Sequence, residues 1–238
     1  MELEGRRAVV LGGTSGIGLA AVRQLQAAGA EVVAGSRSET TRQAARAALG
    51  TGVSWRRIDV LDRDALAALF AEVAPFDVLV NAATGGERAV GPFLEMDLDG
   101  FQGSFCKLWG YVNSVRLGAA HMSDDGAIVL VSGYPARKCS PGASAISTVG
   151  NAVEGFARAV APEIAPRRIN VVSPGVIDTP MFSMPPEARD AFLANATDRQ
   201  PIPRPGRPEE VAEAILLAVR NDFMTGSTID VDGGALLP

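Results

Sequence analysis

The chain has 238 residues, 47% of them hydrophobic and 21% charged, which argues against disorder and suits one large domain with a sizeable core or two small ones. Its formal net charge of −5, from 22 basic and 27 acidic side chains, argues against a nucleic-acid partner. One His and two Cys exclude a multi-histidine metal centre and a disulfide framework, so no metal site is expected and Cys106 and Cys139 read as reduced thiols.

The first residues place acids where a signal peptide needs a basic region, and the longest smooth apolar run, 127–131, is too short to span a bilayer. A cytoplasmic protein with no membrane partner is expected. Residues 6–11 predict a strand that runs into a glycine-rich turn, and 17–28 a helix stopped by Gly29. A strand is predicted at 31–36, a helix at 40–49, a strand at 53–58 and a helix at 62–73 with Asp62 as N-cap. A fourth strand follows at 76–81, then a glycine-rich loop. Residues 93–121 read mainly as helix, interrupted at Gly100, Gly103 and Gly110. Strands at 127–132 and 169–173 flank a helix at 143–164. The stretch 174–208 is Pro-rich with a helical patch near 187–196. A helix at 208–220 and a strand at 227–231 end the pattern.

Alternating strands and helices at this spacing predict an α/β fold, a parallel sheet covered on both faces. Ligands then bind outside the carboxyl ends of the strands. Gly12, Gly16 and Gly18 lie at the first strand–helix junction. Glycine there permits a tight turn and lets the backbone and the helix N-terminus approach a pyrophosphate.

Here the sequence resembles the short-chain dehydrogenase/reductase family over nearly its whole length. Residues 11–18 resemble its TGxxxGxG phosphate loop, including Thr14, Ser15 and Ile17, with Leu11 in place of the Thr. Asp59-Val60 resembles its adenine-contacting pair and Asn81-Ala82-Ala83 its NAG turn. Pro174-Gly175 with Ile177 and Thr179 resembles the motif that holds the nicotinamide carboxamide. Thr225-Gly226 and Val231-Asp232-Gly233-Gly234 resemble its C-terminal signature. The resemblance implies a single domain over 1–238 with a three-layer, Rossmann-like, doubly wound parallel sheet. It also implies a substrate lid at 176–205, and a homodimer or homotetramer joined through the helices at 93–121 and 143–164. Met181, Phe182, Met184, Phe192 and Leu193 give that lid an apolar face, so the expected substrate is a small molecule with an apolar body.

Cofactor choice rests on the end of the second strand, where Ser36-Arg37 stands instead of a carboxylate. Arg37 can pair with a 2′-phosphate, helped by the Ser15 hydroxyl, which favours NADP(H) over NAD(H). The plainer alternative is that Arg37 only stacks on adenine.

The family's proton chemistry uses a Tyr, a Lys four residues on, a Ser thirteen residues before the Tyr, and an Asn on an earlier helix. Aligned on Pro141-Gly142 and 152–159, the Tyr, Lys and Ser positions fall on Ile146, Gly150 and Gly133, and Leu108-x-Gly110 puts the Asn position on Lys107. A slip of register finds one such pair, Tyr134 with Lys138 four residues on, but it lies twelve residues before the aligned Tyr position, and Tyr111 has no Lys at that spacing. Yet only two of the 22 basic residues are Lys, Lys107 and Lys138, and both map near the expected site. Lysine can lose its proton or form a Schiff base, which arginine cannot. Lys107, Ser132, Tyr134 and Lys138 are therefore the candidate catalytic residues. The plainer alternative makes Lys107 the filler of a vacated polar slot and Lys138 a solvated loop cation.

Three functions fit. The first is an atypical NADP(H)-dependent oxidoreductase acting on a carbonyl or alcohol. The second is a non-redox lyase, isomerase or cyclase built on an active-site lysine. The third is a non-catalytic NADP(H)-binding sensor or partner subunit.

Overall fold

The computed structural model describes residues 1–86, 88–182 and 184–238. Its seven strands are β1 (Arg7–Leu11), β2 (Glu31–Ser36), β3 (Val53–Arg57), β4 (Phe76–Asn81), β5 (Met122–Val131), β6 (Arg168–Pro174) and β7 (Thr228–Val231). They form one parallel sheet in the order β3-β2-β1-β4-β5-β6-β7. The alternating elements predict the parallel sheet, and the resemblance its doubly wound, Rossmann-like arrangement. It needs central strands that are apolar on both faces.

Strand alternation sorts the apolar residues into two cores. Ala8 and Val10 of β1 enter one, and Val9 and Leu11 enter the other. The first core is closed by α1 (Gly16–Ala27) and α8 (Pro208–Arg220), through Val22, Leu25, Val211 and Ile215. The second is closed by α3 (Arg63–Val73), α5 (Cys106–Gly118) and α6 (Ser144–Val160), through Phe70, Tyr111 and Val153. The Asp62 carboxylate accepts from Ala65 N at 3.0 Å, the N-cap read from sequence. The remaining helices are α2 (Glu39–Leu49), α4 (Leu98–Ser104) and α7 (Pro186–Thr197). No helix among the described residues is long and apolar enough to cross a membrane.

Two expected elements differ. The 93–121 helix is not broken at its glycines, for Gly100, Gly103 and Gly110 all lie inside helices. The break between α4 and α5 falls at Phe105. There Ser104 Oγ bonds back to Gly100 O at 3.0 Å and accepts from Ala89 N, a competing pattern that disturbs a helix end. Gly110 instead serves packing, since a Cβ there would sit 2.4 Å from Val60 Cγ2. The fifth strand begins at Met122 rather than Ala127, with a register shift opposite Phe76 and Val78. After Met122 the next four residues are Ser, Asp, Asp and Gly, so backbone pairing carries them without an apolar signal.

Candidate active site

A cleft of about 640 Å³ opens at the carboxyl ends of β1, β2, β4, β5 and β6. It crosses the point where β1 is flanked by β2 and β4 and the strand order reverses, the usual ligand position in such sheets. Its volume lies within the range of about 300–1,000 Å³ typical of ligand sites.

At one end lies the glycine-rich turn. Gly12 has φ +78°, and a Cβ there would meet Ala83 N at 2.6 Å. Gly12 N and Gly13 N donate to Gly35 O at 2.8 and 3.3 Å, tying the turn to β2. Ser15 stands at the N-cap of α1 without a side-chain bond, and the first turn holds no acid. Free backbone donors at the positive end of a helix dipole therefore face the cleft, which is the donor set a pyrophosphate requires. Thr14, Ser15, Gly16, Ile17 and Gly18 line this end. Thr14 Oγ1 also shares a 2.8 Å bond with Thr41 Oγ1.

Ser36 and Arg37 line the wall beyond β2, where Arg42 donates to Ser36 O at 2.9 Å and Arg37 O at 3.3 Å. Arg37 is more than half exposed and lies 3.8 Å from Asp59. Val60, Ala82 and Ala83 line the middle, and Pro174, Gly175, Ile177 and Thr179 the far side. Two residues read as direct contacts are not on the described lining. Asp59 Oδ1 accepts from Leu61 N at 3.0 Å and its other oxygen faces Arg37. Asn81 is fully buried, donating to Ser114 Oγ at 2.8 Å and accepting from Ala83 N at 3.0 Å. Both shape the turns behind the cleft.

At the other end the lysines separate. Lys107, on the first turn of α5, points its Nζ into the cleft and donates to Ser132 O at 3.3 Å. Its ammonium lies 5.7 Å from the centre of the Tyr111 ring. Desolvation, with repulsion from Arg88, lowers its pKa to about 7. Lys138 is not on the lining, because its Nζ donates to Ala235 O in the C-terminal tail. Arg137, beside it, pairs with Asp230 and Glu154. These two cations pin the segment carrying Tyr134 to β7, α6 and the tail, which answers why they point away from the cleft.

Ser132 and Tyr134 line the cleft with Gly133, Ile146 and Gly150. Ser132 Oγ donates to Gly150 O at 3.3 Å, and burial pushes the Tyr134 phenol up from its ordinary pKa. A Cβ on Gly150 would stand 2.8 Å from Ala136 Cβ and 3.1 Å from Ala136 Cα, so the Tyr134–Ala136 turn occupies the space beside it. Sequence reasoning missed Arg88, which joins Lys107 on the lining. It follows the glycine turn at 85–86 on an irregular segment, where no periodicity tells which way a side chain points. From segment 176–205, Met181, Phe182 and Phe192 face the cleft, while Leu193 is buried behind them and Met184 is exposed. Ser183 of that segment lies outside the described residues.

The sheet order and the open helix N-terminus at its switch point define a doubly wound domain built around a phosphate-binding turn. Residues 12–235 match the family model described as enoyl-(acyl carrier protein) reductase. A curated relative, cis-4-hydroxycyclohexanecarboxylate dehydrogenase of Sinomonas cyclohexanicum, is 37% identical over 96% of each chain. A solved small-chain dehydrogenase in complex with NADPH is 30% identical, with a TM-score of 0.83 over 99% of this chain and 100% of that one. A short-chain oxidoreductase from Pseudomonas aeruginosa PAO1, described as containing an atypical catalytic center, is 30% identical, with a TM-score of 0.87 over 97% of each chain. The chain belongs to the short-chain dehydrogenase/reductase family.

Proposed function

We propose that the chain is an NADP(H)-dependent oxidoreductase whose proton chemistry runs through Lys107 rather than a Tyr–Lys pair, since Lys138, four residues after Tyr134, turns away to Ala235 O. The observation that carries this reading is the Lys107 amine, held near neutrality inside the same cleft as Ser132 and Tyr134. A general acid or base works best with a pKa near the working pH. The NADPH held by one relative and the atypical centre described for another support the reading. When bound, the nicotinamide supplies or takes the hydride. The turn at 12–18 and the α1 N-terminus hold the phosphates, Arg37 holds the 2′-phosphate, and 174–179 orients the nicotinamide. Lys107 gives a proton to the carbonyl oxygen during reduction and takes it back from the alcohol during oxidation. Tyr134, kept protonated by burial, donates a hydrogen bond to the same oxygen. The substrate is a small carbonyl or alcohol with an apolar body, packed against Phe182 and Phe192. The exposed apolar side chains Phe93, Leu94, Leu98 and Trp109 suit a homodimer or homotetramer contact, and a cytoplasmic setting belongs to the same reading.

Calorimetric titration with NADPH and NADH tests the cofactor assignment. Replacing Arg37 by Gln is expected to weaken NADPH about 10–100-fold, the worth of one charge-assisted contact, with NADH changed little. An unchanged NADPH-to-NADH ratio would remove Arg37 from recognition of the phosphate.

The cleft is rebuilt rather than merely stripped. The double variant Ile146→Tyr/Gly150→Lys is expected to gain no turnover and to unfold at lower temperature. Its new Cβ at 150 meets Ala136, whose turn cannot retreat without releasing the Arg137 pairs. Turnover gained with an unchanged melting temperature would show the family's usual site waiting in place. One observation favours a second reading. An amine near neutrality is also what a Schiff-base enzyme uses, so a borohydride-trapped adduct on Lys107 would move the chain to the non-redox class.

A further inference from the structure

The cleft carries charge of one sign. Its described lining holds Arg37, Arg88 and Lys107 and no Asp or Glu, in a chain whose net charge is −5. These cations form two groups. Arg37 follows β2, while Arg88 follows β4 and Lys107 reaches the end of β5. The sheet order puts β2 and β5 three strand spacings apart, about 14 Å. The first group is accounted for by a 2′-phosphate, and the pyrophosphate falls to the α1 N-terminus. In the second group Lys107 serves proton transfer, and Arg88 has no part in it.

Among the described residues that second group lacks a counter-charge. Arg88 and Lys107 are close enough to repel each other. Among the described residues neither has a carboxylate within ion-pair distance. Among the described residues the hydrogen bond of Lys107 goes to Ser132 O and that of the Arg88 guanidinium to Met181 Sδ. Glu87 lies outside the described residues. Two like charges sharing a partly desolvated wall raise the free energy of the free protein, and an anion between them lowers it. A guanidinium presents paired donors that match a carboxylate. Next to it the lid segment offers an apolar wall, with the Phe182 and Phe192 rings 5.2 Å apart.

We infer that the substrate carries a carboxylate that pairs with Arg88 beside Met181, its apolar body lying on Phe182 and Phe192 and its reacting carbon turned toward Lys107. The inference rests on the oxidoreductase reading of the cleft, and it adds Arg88 as the residue that selects an anionic substrate over a neutral one.

Benzoate and benzamide are nearly isosteric and differ in charge, so their binding to NADP⁺-loaded protein tests the inference by ligand-observed NMR titration. Benzoate is expected to bind about tenfold tighter or more, the worth of one charged hydrogen-bonded contact. Arg88→Met should bring the two probes to near equality while leaving NADP⁺ affinity unchanged, and Arg88→Lys should keep part of the difference. Equal binding of both probes by the wild-type protein would overturn the inference, as would no benzoate binding at millimolar concentration. A ratio that survives Arg88→Met would assign the anion to other groups. A joint loss of NADP⁺ and benzoate would assign Arg88 to the cofactor, and either result overturns the proposal. The ratio is read without turnover. A failed screen of carbonyl and alcohol substrates would therefore count against the oxidoreductase reading alone.

Discussion

Lys107→Met is expected to lower turnover by about 10²–10⁴-fold, the usual worth of a positioned general acid or base. Cofactor affinity should stay close to wild type, because the phosphates lie at the other end of the cleft. The pH profile gives a sharper test than the rate. In the reduction direction the ammonium is the active form, so kcat/KM should be flat below about pH 7 and fall above it. In oxidation the neutral amine is active, and the rate should rise through the same region. Bound anionic cofactor favours the charged amine and moves both limbs upward. The methionine variant should lose this limb in both directions. A retained limb would transfer the titration to a group other than Lys107, and Tyr134, pushed up by burial, is not that group.

The same residue predicts a stability effect of opposite sign. The folded pKa of Lys107, about 7, lies below its ordinary value of 10.5, so folding disfavours the charged form. The unfolded chain then binds more protons between those values, and stability should rise with pH from about 7 to about 10.5. Arg88 is the charged neighbour that lowers the value, and the neutral Tyr111 ring packs beside the amine. Lys107→Met should remove that rise and melt a few degrees above wild type at neutral pH. A variant that loses activity and gains stability is what a group kept for chemistry rather than packing would give.

Gly18→Ala carries the second large effect. The new Cβ would stand 2.1 Å from Gly12 O and 2.8 Å from Gly12 C, both backbone atoms of the phosphate turn. No side chain can rotate aside, so the turn must open and α1 must shift. The expected cost is about 1–3 kcal/mol of stability. NADPH binding should weaken about 100-fold or more, because several backbone donors to phosphate move together. Gly155→Ala supplies the control. That glycine lies in α6 with nothing within 4 Å of its Cβ position, so alanine there should be neutral or slightly stabilising. Equal losses in both variants would mean that the effect comes from alanine as such and not from the turn.

The layers, strand sequence and phosphate turn were legible because each rests on short-range pattern. Residues 31–36, 76–81 and 208–220 form elements with the bounds their periodicity implies. The Asp62 cap follows from an acceptor within three residues of a free donor. The 93–121 stretch misled because helix interruption depended on the Ser104 back-bond and on the close approach of Gly110 to Val60, both tertiary facts. Asn81 sits at a motif position that resembles the family's, yet its side chain is buried behind the cleft, while Asp59 bonds Leu61 N with one oxygen and faces Arg37 with the other.

The two lysines mark the boundary most clearly. The sequence alone determined that the chain keeps lysine at only two positions, one of them, Lys138, four residues after Tyr134. Local spacing also determined that a phosphate turn opens the first helix. Only the tertiary structure decided that Lys107 enters the cleft, that Lys138 is spent on Ala235 O, and that Arg88 arrives from an irregular loop to face Lys107. A side chain on a helix or strand inherits its direction from a repeat of 3.6 or 2 residues. One on a loop takes its direction from contacts distant in sequence, and no local pattern records them.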